Sequence, residues 1–171
     1  MGVPFYRAIT ATTRPPRPNE ADGREYLFLS EAEFVDKIER GELLEHAIVY
    51  GHYYGVPKWP VREAMSKGMD VVVRTDGQGA FTIKEKVPGS VNVLLVPGSL
   101  AELGRRLRER GQDSGEVIER RLAAVAAEIA EAERFDYVVT NSDGCLDKAA
   151  AQVAAIISAE KCRVGRKPVV L

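Results

Sequence analysis

Two residue types that often carry chemistry are scarce in this chain of 171 residues: it has two cysteines, Cys145 and Cys162, and two histidines, His46 and His52. Two cysteines cannot make a disulfide framework, and neither stands in a Cys-x-x-Cys or His-rich spacing, so a zinc knuckle lacks its ligands and a reducing compartment is expected. An excess of either charge is also missing. Lys and Arg number 24 against 25 Asp and Glu, a net charge of −1. No global field therefore recruits nucleic acid or a membrane surface, and any anion site must be local. No apolar run approaches the roughly 18 residues of a membrane span. The opening MGVPFYRAIT has neither the charged start nor the apolar core of a signal peptide. The expected location is the cytoplasm, with no nucleic-acid or membrane partner.

What is present suits one α/β domain. The hydrophobic share of 45% is enough to bury a core in a chain of this length. Apolar and β-branched runs predict strands at Phe5 to Thr10, Tyr26 to Leu29, Leu43 to Tyr50, Val71 to Val73, Val91 to Val96 and Tyr137 to Thr140. Ser30 and Glu33 make a capping box that opens a helix to about Arg40, with Gly41 as its stop. Further helices are expected near residues 61–67, 78–86, 100–110, 115–134 and 146–159. After residue 70 the order is strand, helix, strand, helices, strand, helix, the grammar of a parallel sheet flanked by helices. The tail 161–171 is expected to be short and loosely held. Trp59 is expected to be a core or lid-facing anchor.

Two neighbouring segments could hold an anionic heterocycle. In Ala11-Thr-Thr-Arg-Pro-Pro-Arg-Pro-Asn-Glu20 the prolines stiffen a loop that carries Arg14 and Arg17, whose planar forks suit phosphate oxygens better than lysine does. Tyr26 and Tyr54 could add hydroxyl donors. Taken alone, such a turn is more often a solvated surface loop. In the stretch from Glu42 to Gly55 a strand carries Glu45 towards a Gly-bounded aromatic turn. A carboxylate there can accept two N–H groups from a guanine edge, although an edge-strand glutamate facing water is an equal reading. Further on, Arg106 and Arg110 lie four residues apart on one helix, and Arg121 follows a Gly111 to Gly115 hinge. By itself this is a helix with a charged outer face.

TTRPPRP, the DGxxY spacing, GELLEHAxVxGxYYG, DxQG at Asp76 to Gly79, RLRERGQDS with Arg120 to Leu122, and DYVVTN together resemble the guanylate kinase family, in order and spacing, over residues 5 to 160. The resemblance implies a P-loop-kinase-like fold in residues 1–160, with a small β-rich GMP-binding subdomain at about 11–70 and a helical lid at about 105–121. It implies ATP and GMP, or dGMP, as partners, and Mg²⁺ arriving with ATP. The GMP phosphate would be held by Arg14, Arg17, Tyr26 and Tyr54, with Glu20 orienting Arg17. Glu45, Asp76 and Thr10 would address the guanine or its surroundings. Arg106, Arg110 and Arg121 would bring positive charge to the transferring phosphoryl group, and Asn141 would lie on the adenine side.

The chain departs from the family pattern in three places. No GxxxxGK[ST] occurs in the 171 residues, so the family's first strand, P-loop and first helix are expected to be absent, and a shortened reading frame is favoured over a purpose-built truncation. Arg74 stands where the family usually has an aspartate that helps organise the metal site, and no protein metal ligand is identified. Val56 replaces a serine or threonine that bonds the base, a change worth about 1 kcal/mol. Two expectations follow: a GMP kinase with impaired turnover, or a GMP-binding or protein-interaction module without turnover.

Overall fold

The computed structural model describes residues 5–49, 51–111, 114–166 and 169–171. Tyr50, Gln112 and Asp113, which belong to the expected third strand and lid hinge, lie outside the described residues. The chain divides into two compact units, residues 1–90 with 169–171, and residues 91–168.

The first unit contains β1 (Phe5–Arg7), β2 (Ala11–Thr12), β3 (Leu27–Phe28), α1 (Glu31–Glu39), β4 (Leu43–Val49), β5 (His52–Pro57), α2 (Lys58–Ser66), β6 (Asp70–Val72) and α3 (Gly77–Lys86). β1 and β6 pair in parallel, Phe5 opposite Asp70. A four-stranded sheet has the order β3-β2-β5-β4, parallel between β2 and β3 and antiparallel elsewhere. The α1 capping box forms as the sequence predicts: the Ser30 amide donates to Glu33 Oε2 at 2.8 Å and the Glu33 amide to Ser30 Oγ at 3.3 Å. Phe34 on α1 is fully buried and stacks on Tyr53, ring centroids 5.2 Å apart. Gly55 makes that approach possible, since a Cβ there would stand 2.8 Å from the Glu45 carbonyl and 3.1 Å from the Phe34 ring.

Three expectations change in this unit. The aromatic segment read as a turn is strand β5, which pairs with β4 from Val49↔His52 back to Leu43↔Pro57. Its Tyr-Tyr-Gly composition carries little alternating apolar signal, so the pairing comes from β4 and β2 rather than from local pattern. Trp59 is 56% exposed, because the buried face of α2 is made by Pro60, Val61 and Ala64. The tail is not loose throughout: Val169 and Leu171 pack against the cluster of Ala8, Leu44, Val56, Val61, Ile83 and Val87.

The second unit contains β7 (Val93–Pro97), α4 (Leu100–Arg110), α5 (Gly115–Ala130), a 3₁₀ turn at Ala132–Arg134, β8 (Tyr137–Asn141) and α6 (Leu146–Cys162). β7 and β8 pair in parallel along their length, Val93 opposite Tyr137 and Pro97 opposite Asn141. The parallel grammar expected after residue 70 is thus present as a two-stranded parallel sheet in each unit. Ser99 caps α4 by accepting the Glu102 amide at 3.1 Å. α5 ends four residues before the sequence pattern suggests, where the 3₁₀ turn takes over.

Candidate functional site

The predicted GMP residues all fall in the first unit. Between β2 and β3 the chain makes an irregular loop whose centre is an ion pair. Arg14 Nη2 donates to both Glu20 carboxylate oxygens, at 2.9 and 2.8 Å, with the side chains only 15% and 13% exposed. The Arg14 guanidinium also lies over the rings of Tyr26, 5.4 Å from the centroid, and Phe28, 5.9 Å. Tyr26 in turn meets Tyr54 edge-on at 6.1 Å. Cation–π contacts and a two-oxygen fork leave this arginine little rotational freedom. Its proton is held more firmly than usual, first by the Glu20 hydrogen bond, and the Tyr54 phenol adds to that.

Glu20 does not reach Arg17 through its side chain. It accepts the Arg17 main-chain N–H at 2.8 Å and grips the guanidinium of Arg14. The Arg17 amide, then Arg14, hold the Glu20 carboxyl below its usual range. The Arg17 side chain is exposed. Thr10 enters the site through its main chain, its carbonyl accepting the Leu27 amide at 3.0 Å beside β2.

Glu45 is the buried acid of this unit, 7% exposed. Strict alternation along β4 would send Leu44 and Glu45 to opposite faces with only one of them buried. The ladder register shifts between Leu43 and His46, and Leu43, Leu44 and Glu45 are all buried in succession. Such a bulge re-aims a side chain. The Glu45 carboxylate lies against the first turn of α3, where a Cβ on Gly79 would be 3.2 Å from Glu45 Oε2. The same Cβ would collide with Thr75 Oγ1, so the turn requires glycine, and the acid packs against the space it leaves. Asp76 caps the same helix, accepting the Gly79 amide at 2.8 Å. Burial first, and the neighbouring Asp76 charge second, push Glu45 up to about 7, against a smaller opposing pull from Lys86. A carboxyl poised there can accept N–H groups as an anion and loses that ability on protonation.

The predicted transfer residues all fall in the second unit. Arg106 on α4 is ion-paired with Glu102 one turn earlier and with Asp143 in the loop after β8, and it donates to the Asn141 carbonyl at 3.0 Å. Arg105 shares Asp143. Arg110, in the last turn of α4, and Arg121, in the second turn of α5, are exposed. Leu94, Pro97, Leu103, Arg106, Val125 and Asn141 line a cleft of about 180 Å³. Its walls are mostly apolar, with Arg106, Glu128 and Asn141 as the polar members of the lining, a composition suited to a flat ring bearing a polar edge.

Three participants escaped the sequence reading. Phe28 under Arg14 and the Asp143 partner of Arg106 are brought close by tertiary structure, Asp143 from 37 residues away. Glu102 was accessible, because Glu102 and Arg106 stand at i,i+4 on a predicted helix. Among the described residues no three of His, Cys, Asp and Glu come together as a cation cage, and Arg74, exposed two residues before Asp76, adds a positive charge. The donor set present does not fit a protein-built magnesium site.

Comparison with known proteins gives a consistent result. The guanylate kinase family profile matches residues 3–160. A guanylate kinase of Gloeobacter violaceus is 50% identical over 152 residues, covering 89% of this chain and 72% of the relative. That of Cereibacter sphaeroides is 45% identical over 163 residues, covering 94% and 76%. The crystal structure of guanylate kinase from Anaplasma phagocytophilum superposes with a TM-score of 0.76 at 32% identity, covering 95% of this chain and 79% of that one. With both the motif order and the fold accounted for, the chain belongs to the guanylate kinase family.

Proposed function

We propose that this chain serves the reaction ATP + GMP to ADP + GDP, with the first unit as acceptor site. The observation that supports it most is Glu45: an acid turned inward by a bulge against the start of α3, in the same unit as an arginine already fixed by Glu20 and two aromatic rings. Arg14 and Arg17, with the Tyr26 and Tyr54 hydroxyls, hold the GMP phosphate. Glu45 takes N–H groups of the guanine edge, with Asp76 and Thr10 beside it. A base lacking those donors leaves a buried carboxylate unpaired, which is the source of selectivity.

In the second unit Arg106, Arg110 and Arg121 stabilise charge spreading over the transferring phosphoryl oxygens, and Asn141 lies on the adenine side of the cleft. Magnesium accompanies the ATP phosphates and no step is routed through it. A cytoplasmic location and the absence of nucleic-acid or membrane partners belong to the same proposal; among the described residues no helix is long and apolar enough to cross a membrane.

One observation favours a second reading. The 171 residues contain no GxxxxGK[ST], so these residues alone carry no P-loop sequence for the donor phosphates. In that reading the chain binds GMP without turning it over. A coupled assay of ADP formation with MgATP and GMP, run beside Arg14→Ala, separates the two. GMP-dependent turnover that Arg14→Ala removes supports the kinase. GMP binding without turnover, by folded protein, supports the binding module.

A further inference from the structure

Helix α3 touches β4 at two places. Its N-terminal turn receives the Glu45 carboxylate over Gly79. Its last residue, Lys86, folds back and donates from Nζ to the Leu44 carbonyl at 3.1 Å. The Leu44–Glu45 peptide lies inside the register break of β4, the place where the ladder constrains the strand least. One helix therefore brackets the peptide that presents Glu45.

The charges facing Glu45 can be named element by element. From α3 come Asp76, a like charge, and Lys86, an opposite one. α1, which also packs on β4, carries Glu31, Glu33, Asp36, Lys37 and Glu39, and its lysine is paired with Glu42 at 3.1 Å. β5 carries His52 and no charged side chain. Lys86 is exposed, so its field is partly screened, but it acts on a carboxylate that water scarcely reaches.

We propose that Lys86 is a positioning residue for guanine recognition: it fixes the Leu44–Glu45 peptide from the Leu44 carbonyl, and its charge favours the ionised form of Glu45 against Asp76. This rests on the reading of Glu45 as the base-reading acid. Lys86 touches no substrate in this account, and its whole effect passes through Glu45.

The test begins without ligand. A ¹³C-detected titration of the Glu45 carboxyl in the full chain is expected to show a midpoint raised to about 7 in the parent protein. In Lys86→Met the midpoint rises by roughly half a unit to one unit, as expected for losing a nearby opposite charge that solvent partly screens. Lys86→Arg restores it. GMP affinity measured by calorimetry then falls about two- to fivefold in Lys86→Met at pH 7 and largely recovers by pH 8.5, following the lost anion fraction. In a Glu45→Gln background, adding Lys86→Met changes GMP affinity no further; that background also supplies the titration of the GMP phosphate itself. Should Lys86→Met lose its thermal transition, Lys86→Gln, which can still donate to Leu44, takes its place.

An unmoved Glu45 midpoint in folded Lys86→Met overturns the proposal and leaves the guanine reading standing. A midpoint that moves while Glu45→Gln binds GMP as tightly as the parent overturns the guanine reading on which the proposal rests.

Discussion

The two units handle their functional charges in opposite ways. In the first, Arg14 is largely buried, forked onto Glu20 and laid over two rings, and Glu45 is driven into a place where its charge is disfavoured. In the second, Arg110 and Arg121 stand in solvent on helix surfaces, while only Arg106 is part-buried, paired with Glu102 and with the Asp143 that it shares with Arg105. Buried groups discriminate because leaving them unpaired is expensive. Exposed arginines do little until water is excluded around them. Under the proposed function, recognition is built into the fold of the first unit, whereas transfer depends on what surrounds the arginines of the second.

Several substitutions would break or sharpen this contrast, starting with the largest effect. Phe34→Ala removes the fully buried ring under Tyr53 and should cost about 3 to 5 kcal/mol of stability. Chemical denaturation that shows under 1 kcal/mol would mean the first unit is not held together by that stack.

Glu45→Gln tests whether this unit gives up stability for recognition. Between its ordinary value of 4.5 and about 7, the folded protein keeps a proton on Glu45 that the unfolded chain has released. Stability from this group is therefore complete below pH 4.5 and lost as pH rises through 7. At pH 8 the anion costs the ligand-free protein up to roughly 3 kcal/mol. Glu45→Gln should raise the melting temperature at pH 8 and lose most of that advantage at pH 5, while weakening GMP binding. An equal gain at both pH values would show that the charge is not what strains the site.

Arg14→Ala should weaken GMP binding by about 2 kcal/mol, roughly 30-fold, the loss of charge-assisted bonds to phosphate. Guanosine, which lacks the phosphate, should be nearly unaffected. The smallest effect belongs to the second unit. Asp143→Asn relaxes an ion pair with an exposed carboxylate and should alter stability by under about 1 kcal/mol. A change above 2 kcal/mol in a thermal melt would place that network among the structural elements and erase the contrast.

The parts legible in the sequence are those set by neighbours along the chain. The Ser30–Glu33 box and the order of elements after residue 70 lie within a few residues of their cause. The residues proposed for GMP fall in one unit and the three proposed transfer arginines in the other. The rest needed the folded chain. Strand β5 has no alternating apolar signature and exists because β4 and β2 pair with it. The bulge that buries Glu45 leaves no mark in Leu43-Leu-Glu45 beyond the run itself. Glu20 was assigned to Arg17, three residues away, while the guanidinium it grips belongs to Arg14, six residues away. Lys86 reaches Leu44 across 42 residues of sequence, beyond any local rule. Trp59 is large and apolar and so read as a core or lid-facing anchor; the core half of that reading fails because α2 turns its small residues inward.

The central claim is that the first unit is an acceptor site organised before any donor nucleotide arrives. It is tested most directly by calorimetric titration of the 171-residue chain with GMP and with AMP, without ATP, beside Arg14→Ala. The account predicts saturable GMP binding, at least tenfold weaker AMP binding, as expected for an unpaired buried acid, and a large loss in Arg14→Ala. Equal affinity for GMP and AMP, or no GMP binding by folded protein, would contradict it.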